Sequence, residues 1–322
     1  RYLASQANKN GWSKLRIPQK ATGKKVAIVG AGPAGLSCAA GLLEAGHAVT
    51  IFDKSTAFGG MVESAIPADR QSNALTSEVA AIFADVPKAR MILSLGKELD
   101  SRHNLDTILA QGFDAVFIGM GLPKSSSVTK TPLSGLWNAM DFLSQAKHGD
   151  RLDLIGKSVA VIGGGNTAMD VAVTAARAGA KDVHVIYRRS FKEMPAWGAE
   201  RERAIAAGVH FQILTQPIEY ISRDGALTGI KLCPTRLGEP DRSGRRSPQL
   251  LESSAYSLDM DIVVEAIGQT VPEGIEKILP GIEFDRGLIC TKPGTFATSR
   301  EGVFAGGDLT RGPATVVAAV AD

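Results

Sequence analysis

The chain has 322 residues, of which 44% are hydrophobic and 21% charged, with a formal net charge of +3. This length favours two domains with substantial cores, and the composition excludes a disordered or membrane-embedded chain. Because the charge is balanced and the three cysteines lie far apart, a nucleic-acid-binding face, a disulfide framework and a CxxC redox pair are also excluded. We expect a soluble, cytoplasmic α/β protein that is part of something longer, since its first residue is Arg1.

The first predicted elements form a βαβ unit. KKVAIVG, from Lys24, is an apolar run typical of a buried parallel strand. GAGPAGLSCAAGLLEAG then predicts a helix with Gly46 at its C-terminal cap, and HAVTIFDKS predicts a second strand. A strand, glycine turn, helix and strand within about thirty residues are typical of a nucleotide-binding fold.

The turn of this unit carries a G-x-G-x-x-G motif formed by Gly30, Gly32 and Gly35. The first glycine permits a tight turn, the second lets a diphosphate approach the backbone, and the third lets helix and strand pack closely. Pro33 suits the first helical turn, and Asp53 follows 23 residues after Gly30, where a carboxylate can accept from ribose hydroxyls. The motif predicts a dinucleotide site, with a purely structural turn as the alternative.

The same pattern returns 133 residues later. Before it come a predicted strand, FDAVFIGMG at 113–121, and a polar loop at 122–132 in which we place a domain crossing. KSVAVIG, GGGNTAMDVAVTAARAG and KDVHVIYRRS then predict a second strand–helix–strand unit. The repeat indicates two nucleotide-binding folds.

The second unit carries the variant motif G-x-G-x-x-A, formed by Gly163, Gly165 and Ala168. Asn166 and Thr167 are candidate caps for the helix that follows. The motif predicts a nicotinamide dinucleotide site.

The end of the second strand distinguishes this unit from the first, because Arg188 and Arg189 stand where an acid is usual. A carboxylate there would repel a 2′-phosphate, whereas a guanidinium group binds one through charge-assisted hydrogen bonds. Since adjacent side chains diverge on an extended segment, we expect one arginine to meet the phosphate, and the other to stack on adenine or face water. The pattern favours NADPH over NADH, with a solvated basic turn as the alternative.

Further buried strands are predicted in DIVVEAIGQ at 261–269 and GVFAGGD at 302–308, each ending at a glycine. PTRLGEPDRSGRRSP at 234–248 is interpreted as an exposed hairpin loop, with a basic docking patch as the alternative. Two interpretations, core packing and a place beside the nicotinamide dinucleotide, are held equally for Met194, Pro195 and Ala196.

These motifs together resemble the glutamate synthase small (beta) subunit family of FAD/NAD(P)H oxidoreductases. This family is related to the electron-input part of dihydropyrimidine dehydrogenase and to NADPH–ferredoxin oxidoreductases. The matching pieces, in the family's order, are VAIVGAGPAG, GG followed by IPADR, VIGGGNTAMD, YRRSFKEMPA, EAIGQ and GVFAGGDLTRGPATVVAAVAD.

The resemblance implies an α/β fold with two Rossmann-like dinucleotide-binding domains, the FAD domain being interrupted by an inserted NAD(P)H domain. The expected boundaries are an N-terminal connector at 1–23, a discontinuous FAD domain at 24–130 and 285–322, and an NAD(P)H domain at 131–284. No metal ligand and no catalytic acid–base residue is expected, because hydride transfer between the two cofactors needs none.

The resemblance also implies two sets of binding residues. The FAD set is Gly30, Gly32, Pro33, Ala34, Gly35, Asp53, Lys54, Gly60, Met61, Arg70, Gly121, Gly307, Asp308, Thr315 and Val316. The NADP set is Gly163, Gly165, Asn166, Thr167, Ala168, Arg188, Arg189 and Gly268.

The implied activity is an FAD-dependent oxidoreductase that takes hydride from NADPH and passes electrons to an iron–sulfur partner or domain. The leading interpretation is a glutamate synthase small subunit acting with a large-subunit-like partner. The alternatives are the input subunit of a dihydropyrimidine dehydrogenase or ferredoxin–NADP oxidoreductase-like system, and a non-enzymatic nucleotide-sensing module. Three scattered cysteines cannot hold an iron–sulfur cluster, so we expect clusters in a missing N-terminal region or in a partner. Neither a nucleic-acid partner nor a membrane partner is expected.

Overall fold

The computed structural model describes residues 10, 14–67, 70, 75–129, 131–149, 152–240 and 244–322. The chain forms two compact units. The first comprises 1–64, 68–124 and 269–322, and the second comprises 65–67 and 125–268. Each is built on a five-stranded sheet with helices, which confirms the predicted α/β class with Rossmann-like units.

The elements of the described ranges are numbered in chain order. The strands are β1 (Lys25–Val29), β2 (Ala48–Asp53), β3 (Met91–Leu95), β4 (Ala115–Ile118), β5 (Lys124–Ser125), β6 (Leu136–Asn138), β7 (Ser158–Ile162), β8 (Asp182–Tyr187), β9 (His210–Ile213), β10 (Thr215–Arg223), β11 (Ala226–Pro240), β12 (Arg246–Leu250), β13 (Tyr256–Asp259), β14 (Ile262–Glu265), β15 (Gln269–Thr270), β16 (Phe284–Asp285), β17 (Leu288–Ile289) and β18 (Val303–Ala305). The α-helices are α1 (Pro33–Glu44), α2 (Met61–Ser64), α3 (Leu75–Phe83), α4 (Leu105–Leu109), α5 (Ala139–His148), α6 (Asn166–Arg177), α7 (Gly198–Ala206), α8 (Ile275–Ile278), α9 (Asp308–Arg311) and α10 (Val316–Val320). None of the helices described is long and apolar enough to cross a membrane.

The sheet of the first unit is parallel, in the order β18-β4-β1-β2-β3. The central strand β1 is an apolar run that is buried over its last four residues, as expected of a strand covered on both faces. Because the strands run in one direction, the loops that follow β1, β2, β4 and β18 meet at one edge. This edge is where an open α/β sheet binds its ligands.

The second unit has a parallel sheet in the order β6-β14-β7-β8-β9. One face packs with α5, α6 and α7 around Phe142 and Met169, both fully buried. The other face packs on an antiparallel sheet formed by β10, β11, β12 and β13, around Ile230 and Leu232. The carboxyl ends of β7 and β8 therefore form a second edge of the same kind.

The observed unit boundaries, 125 and 268, differ from the expected 131 and 284. Residues 269–284 belong to the first unit, because Ile275, Leu279 and Ile282 are buried in the same core as Leu105 and Ile108. The expected hairpin loop at 234–248 also needs correction. Strand β11 continues to Pro240 and pairs with β12 from Arg246, so most of this segment is paired sheet.

Candidate dinucleotide-binding sites

The glycine loop of the first unit packs tightly against its own backbone. Gly30 has φ +110°, and a Cβ atom there would lie 2.4 Å from the Gly119 carbonyl oxygen. A Cβ atom on Gly35 would lie 1.9 Å from the Gly30 carbonyl oxygen, so α1 lies directly on the turn. Both positions therefore require glycine for internal steric reasons, as the motif predicts.

The middle glycine, Gly32, is different, because a Cβ atom there would meet only the Gly60 Cα, at 3.9 Å. Gly32 is the N-cap of α1, and no side chain caps this helix start, where Pro33 is the first residue. The helix start thus presents backbone amides and the positive end of its dipole beside open space. This arrangement fits the diphosphate of a dinucleotide.

Asp53, the last residue of β2, connects this strand to the glycine loop. Its carboxylate accepts from the Ala31 backbone N–H at 2.6 Å and from the Ser55 N–H at 2.7 Å. A carboxylate has about four acceptor sites, so these two bonds leave it able to accept from ribose hydroxyls. Asp53 therefore holds the loop and stands where the sequence predicts the ribose contact.

The paired glycines that follow β2 also lie against the loop. The Gly59 N–H donates to the Ala31 carbonyl at 2.8 Å. Gly60 has φ +56°, and a Cβ atom there would lie 2.9 Å from the Gly32 Cα. The structure thus places Gly60 beside Gly32, as expected for two members of one site.

The segment after β18 approaches the same helix start. Gly307 has φ +73°, and a Cβ atom on it would lie 3.1 Å from the Ala34 Cβ. Asp308 is partly buried and accepts from the Ala314 N–H at 3.1 Å. Burial raises the pKa of Asp308, whereas the Ala314 N–H opposes that shift. The N-terminal and C-terminal segments of the first unit therefore lie in contact at the glycine loop.

The remaining residues of the predicted FAD set have varied surroundings. Thr315 caps α10 by accepting from the Ala318 N–H, and Val316 is 44% exposed. The Met61 sulfur lies 4.0 Å from the Gln269 amide nitrogen. Lys54 is exposed, Arg70 is partly buried, and Gly121 has φ +63°.

The second unit repeats the tight turn and the open middle position. Gly163 has φ +140°, and a Cβ atom there would lie 2.3 Å from the Ala266 carbonyl oxygen. A Cβ atom on Gly165 would meet nothing within 4 Å. Ala168, in the third position, is fully buried in the core. Gly165 is the N-cap of α6 and again no side chain caps the helix, so this start also fits a diphosphate.

Neither Asn166 nor Thr167 caps α6, so the predicted caps are wrong. Gly165 occupies the N-cap, which places Asn166 one position inside the helix. The Asn166 side-chain oxygen instead accepts from the Trp197 N–H at 3.0 Å. Met194 and Ala196, left open between core and cofactor, are both buried in the core of the second unit.

The two arginines after β8 have different surroundings. Arg188 is exposed, and its carbonyl accepts from the Thr235 hydroxyl at 2.8 Å. Arg189 is 5% exposed, and its Nε donates to the Arg246 carbonyl on β12 at 2.7 Å. The expectation that the second arginine stacks on adenine or faces water is therefore wrong, because Arg189 holds the β11–β12 hairpin. Arg188 is the arginine with a guanidinium group open to solvent.

Sequence reasoning missed a buried polar network at Glu265. This carboxylate, 2% exposed, accepts from the Tyr220 hydroxyl at 2.6 Å, from the Val128 N–H at 2.9 Å and from the Ser127 hydroxyl. Burial and the neighbouring Glu265 raise the pKa of Tyr220. The one available signal was an acid within the apolar run DIVVEAIGQ. Gly268, three residues after Glu265, has φ +120°. Its carbonyl accepts from the Ser126 N–H at 3.0 Å, and Ser126 precedes Ser127 and Val128, which bond to Glu265.

The three cysteines are all free. Cys38 is partly buried, and burial raises its pKa to about 12, while Cys233 is buried and Cys290 exposed. A thiol with so high a pKa is a poor nucleophile at neutral pH. In the parts of the chain that the structure describes, no group of three or more His, Cys, Asp or Glu side chains is arranged to hold a metal ion.

Comparison with known proteins identifies the family. The profile of the pyridine nucleotide-disulphide oxidoreductases matches residues 24–322, and the chain belongs to this family. The family binds FAD and NAD(P)H, which confirms the predicted class, an FAD- and NAD(P)H-dependent oxidoreductase.

The relatives confirm the resemblance to glutamate synthase small subunits. The chain is 34% identical over 340 residues to the "Glutamate synthase [NADPH] small chain" of Escherichia coli (strain K12), covering all of this chain and 71% of that protein. It is 43% identical over 310 residues to the "NADP(+)-dependent formate dehydrogenase subunit beta" of Moorella thermoacetica, covering 93% of this chain. The chain spans 42% of that relative's length.

The solved structures agree on the fold. FprA, a Mycobacterium tuberculosis oxidoreductase, superposes with a TM-score of 0.71 at 21% identity, covering 92% of this chain and 82% of that chain. Thioredoxin reductase from T. acidophilum gives 0.66 at 22% identity, covering 92% and 95% respectively. These likenesses show the fold alone.

Proposed function

We propose that this chain is the electron-input part of a larger enzyme, in which the first unit holds FAD and the second holds NADPH. When bound, the two cofactors supply hydride transfer from nicotinamide to flavin. The chain's own residues bind the cofactors, orient them and set the electrostatics, and no side chain is needed to move a proton.

One observation carries the assignment of the two sites. Both glycine loops have a tight first glycine and an open middle glycine at an uncapped helix start. The end of the second strand differs in charge between the two units, because Asp53 is the last residue of β2 whereas Arg188 directly follows β8. A carboxylate suits a ribose with free hydroxyls, as in FAD, and an exposed guanidinium suits a 2′-phosphate, as in NADPH.

The route by which electrons leave is part of the proposal. The free and separated cysteines provide no dithiol for the disulfide chemistry in the family's name. We therefore place the acceptor in an iron–sulfur partner or domain, with a glutamate synthase large-subunit-like partner as the leading candidate. The names of the relatives as a "small chain" or "subunit beta" support a role within a multi-subunit enzyme.

A second candidate partner is supported by the formate dehydrogenase subunit, which is 43% identical to this chain. Both candidates require the same two cofactor sites and differ only in the acceptor. Purification from the native host with the neighbouring subunits attached, followed by identification of those subunits, separates them. A chain that purifies alone and reduces no acceptor with NADPH would refute both.

The FAD assignment is tested by flavin retention. We expect the purified chain to carry FAD and the Asp53→Ala variant to lose most of it, because both the ribose acceptor and the bond to Ala31 disappear. Asp53→Asn is the matched control, since the amide oxygen keeps an acceptor and should retain more flavin than Ala. The chromophore released by denaturation identifies the cofactor. A colourless protein that cannot be reconstituted with FAD would contradict the proposal.

A further inference from the structure

Two helices of the second unit begin next to each other. The N-cap of α6 is Gly165 and the N-cap of α7 is Trp197. The Trp197 N–H donates to the Asn166 side-chain oxygen at 3.0 Å, and the Ala196 N–H donates to the Gly164 carbonyl at 3.0 Å. The start of α7 is thus fastened to the glycine loop, and the positive ends of two helix dipoles lie close together.

The Trp197 side chain is 56% exposed, although its neighbours in the chain are anchored. Met194 and Ala196 are 6% and 4% exposed and belong to the core of the unit. The fold therefore fixes the backbone that carries the indole but leaves much of the ring uncovered. Because Trp combines a large apolar ring with an N–H donor and is enriched at interfaces, an exposed indole on an anchored backbone suits a binding surface.

The same turn also carries Arg188. The turn between Arg188 and Trp197 is braced from α7, because the Arg201 guanidinium donates to the Phe191 carbonyl at 2.8 Å and its carbon lies 6.0 Å from the centre of the Phe191 ring. Arg188 and Trp197 therefore stand at the two ends of one braced segment that borders the glycine loop.

We propose that the Trp197 indole packs against the adenosine half of the bound NADP molecule. This inference rests on the proposed NADPH site. Arg188 would meet the 2′-phosphate, the starts of α6 and α7 would meet the diphosphate, and the ring at the far end of the segment would cover the adenosine. Base–aromatic stacking is worth about 1–3 kcal/mol, or roughly five- to a hundred-fold in affinity.

The test uses tryptophan fluorescence of the flavin-loaded protein during titration with NADP+. We expect the emission to be quenched in the wild type and in Trp137→Phe, and to stay unchanged in Trp197→Phe. Calorimetry should show NADP+ binding weakened about five-fold or more in Trp197→Ala and less than about threefold in Trp197→Phe, which keeps an aromatic ring. Titration with 2′-phospho-ADP-ribose should reproduce the quenching, and nicotinamide mononucleotide should not.

Three results would overturn the inference. The first is equal quenching in the wild type and Trp197→Phe, and the second is unchanged NADP+ affinity in Trp197→Ala. The third is quenching by nicotinamide mononucleotide alone. In each of these cases NADP+ still binds, so the proposed function survives. Calorimetry that detects no NADP+ binding to the wild type would refute the proposed function as well.

Discussion

The two glycine loops share one part of their structure and differ in another. In both, a Cβ atom on the first glycine would overlap a neighbouring carbonyl oxygen, and the middle glycine borders open space. The third position differs. A Cβ atom on Gly35 would lie 1.9 Å from a carbonyl oxygen, whereas the second unit buries Ala168 at the same place. The shared part suits the diphosphate common to both cofactors, and the two loops differ in how closely the third position packs.

The side chains that hold the end of the second strand also differ between the two units. In the first unit Asp53 bonds directly to the glycine loop, so one side chain both holds the loop and stands ready for a ribose. In the second unit these roles are divided. Arg188 is exposed, while Arg189 and Thr235 tie the end of β8 to the β11–β12 hairpin. The backbone that carries Arg188 is therefore positioned by a hairpin far along the chain.

The largest expected effect on stability comes from substitutions at the third position of the glycine motifs. Gly35→Ala should destabilise the first unit by more than about 2 kcal/mol and abolish flavin binding, because the new methyl group forces α1 away from its turn. Ala168→Gly should cost the second unit about 1–2 kcal/mol, the difference in helix propensity plus the loss of one buried methyl group. Calorimetric unfolding and flavin content measure both effects.

The control for this pair is Gly32→Ala, which has room for its methyl group and should fold while binding flavin weakly. A Gly35→Ala variant with the stability and flavin content of the wild type would show that the close packing at the third position contributes little to the free energy of unfolding.

The next effect in size concerns coenzyme selectivity. Arg188→Ala should weaken NADPH binding about ten- to a hundred-fold and leave NADH binding nearly unchanged, because one charge-assisted contact is lost. Arg189→Ala should instead lower the melting temperature of the second unit, since a buried side chain that holds β12 is removed. Affinities for both coenzymes and melting curves distinguish the two variants. Equal weakening of both coenzymes in Arg188→Ala would show that this arginine does not read the phosphate.

The smallest effect is a pH dependence of the second unit. Burial, and then the neighbouring His210, lower the pKa of His184 below its ordinary value of 6.5, while Asp182 opposes the shift. Below pH 6.5 the unfolded chain therefore binds more protons at this site than the folded chain. The stability is complete above pH 6.5 and is lost as the pH falls towards the lower folded-state pKa.

We expect the melting temperature of the second unit to fall by a few degrees over that range and His184→Gln to reduce the fall. His103 lies in the first unit and provides the control, because His103→Gln removes a histidine from outside the second unit and should leave the melting of that unit unaffected. A fall of the same size in His184→Gln and the wild type would assign the effect to other groups.

Sequence reasoning succeeded where local patterns decide the structure. Apolar runs predicted β1, β2, β7 and β8, and the glycine motifs predicted both turns. It failed where distant contacts decide. The assignment of 269–284 to the first unit depends on its packing against Leu105 and Ile108, and the burial of Arg189 depends on β12. Asn166 seemed a cap because its partner, Trp197, lies 31 residues away.

In the proposed function the first unit holds FAD and the second unit binds NADPH. Anaerobic addition of coenzyme to the flavin-loaded chain, followed by the loss of visible flavin absorbance, measures hydride transfer between the two cofactors. We expect NADPH to bleach the flavin at least about tenfold more efficiently than NADH, and Arg188→Ala to remove this preference. A flavin that NADPH leaves oxidised, or that both coenzymes reduce equally well in the wild type, would contradict the proposed function.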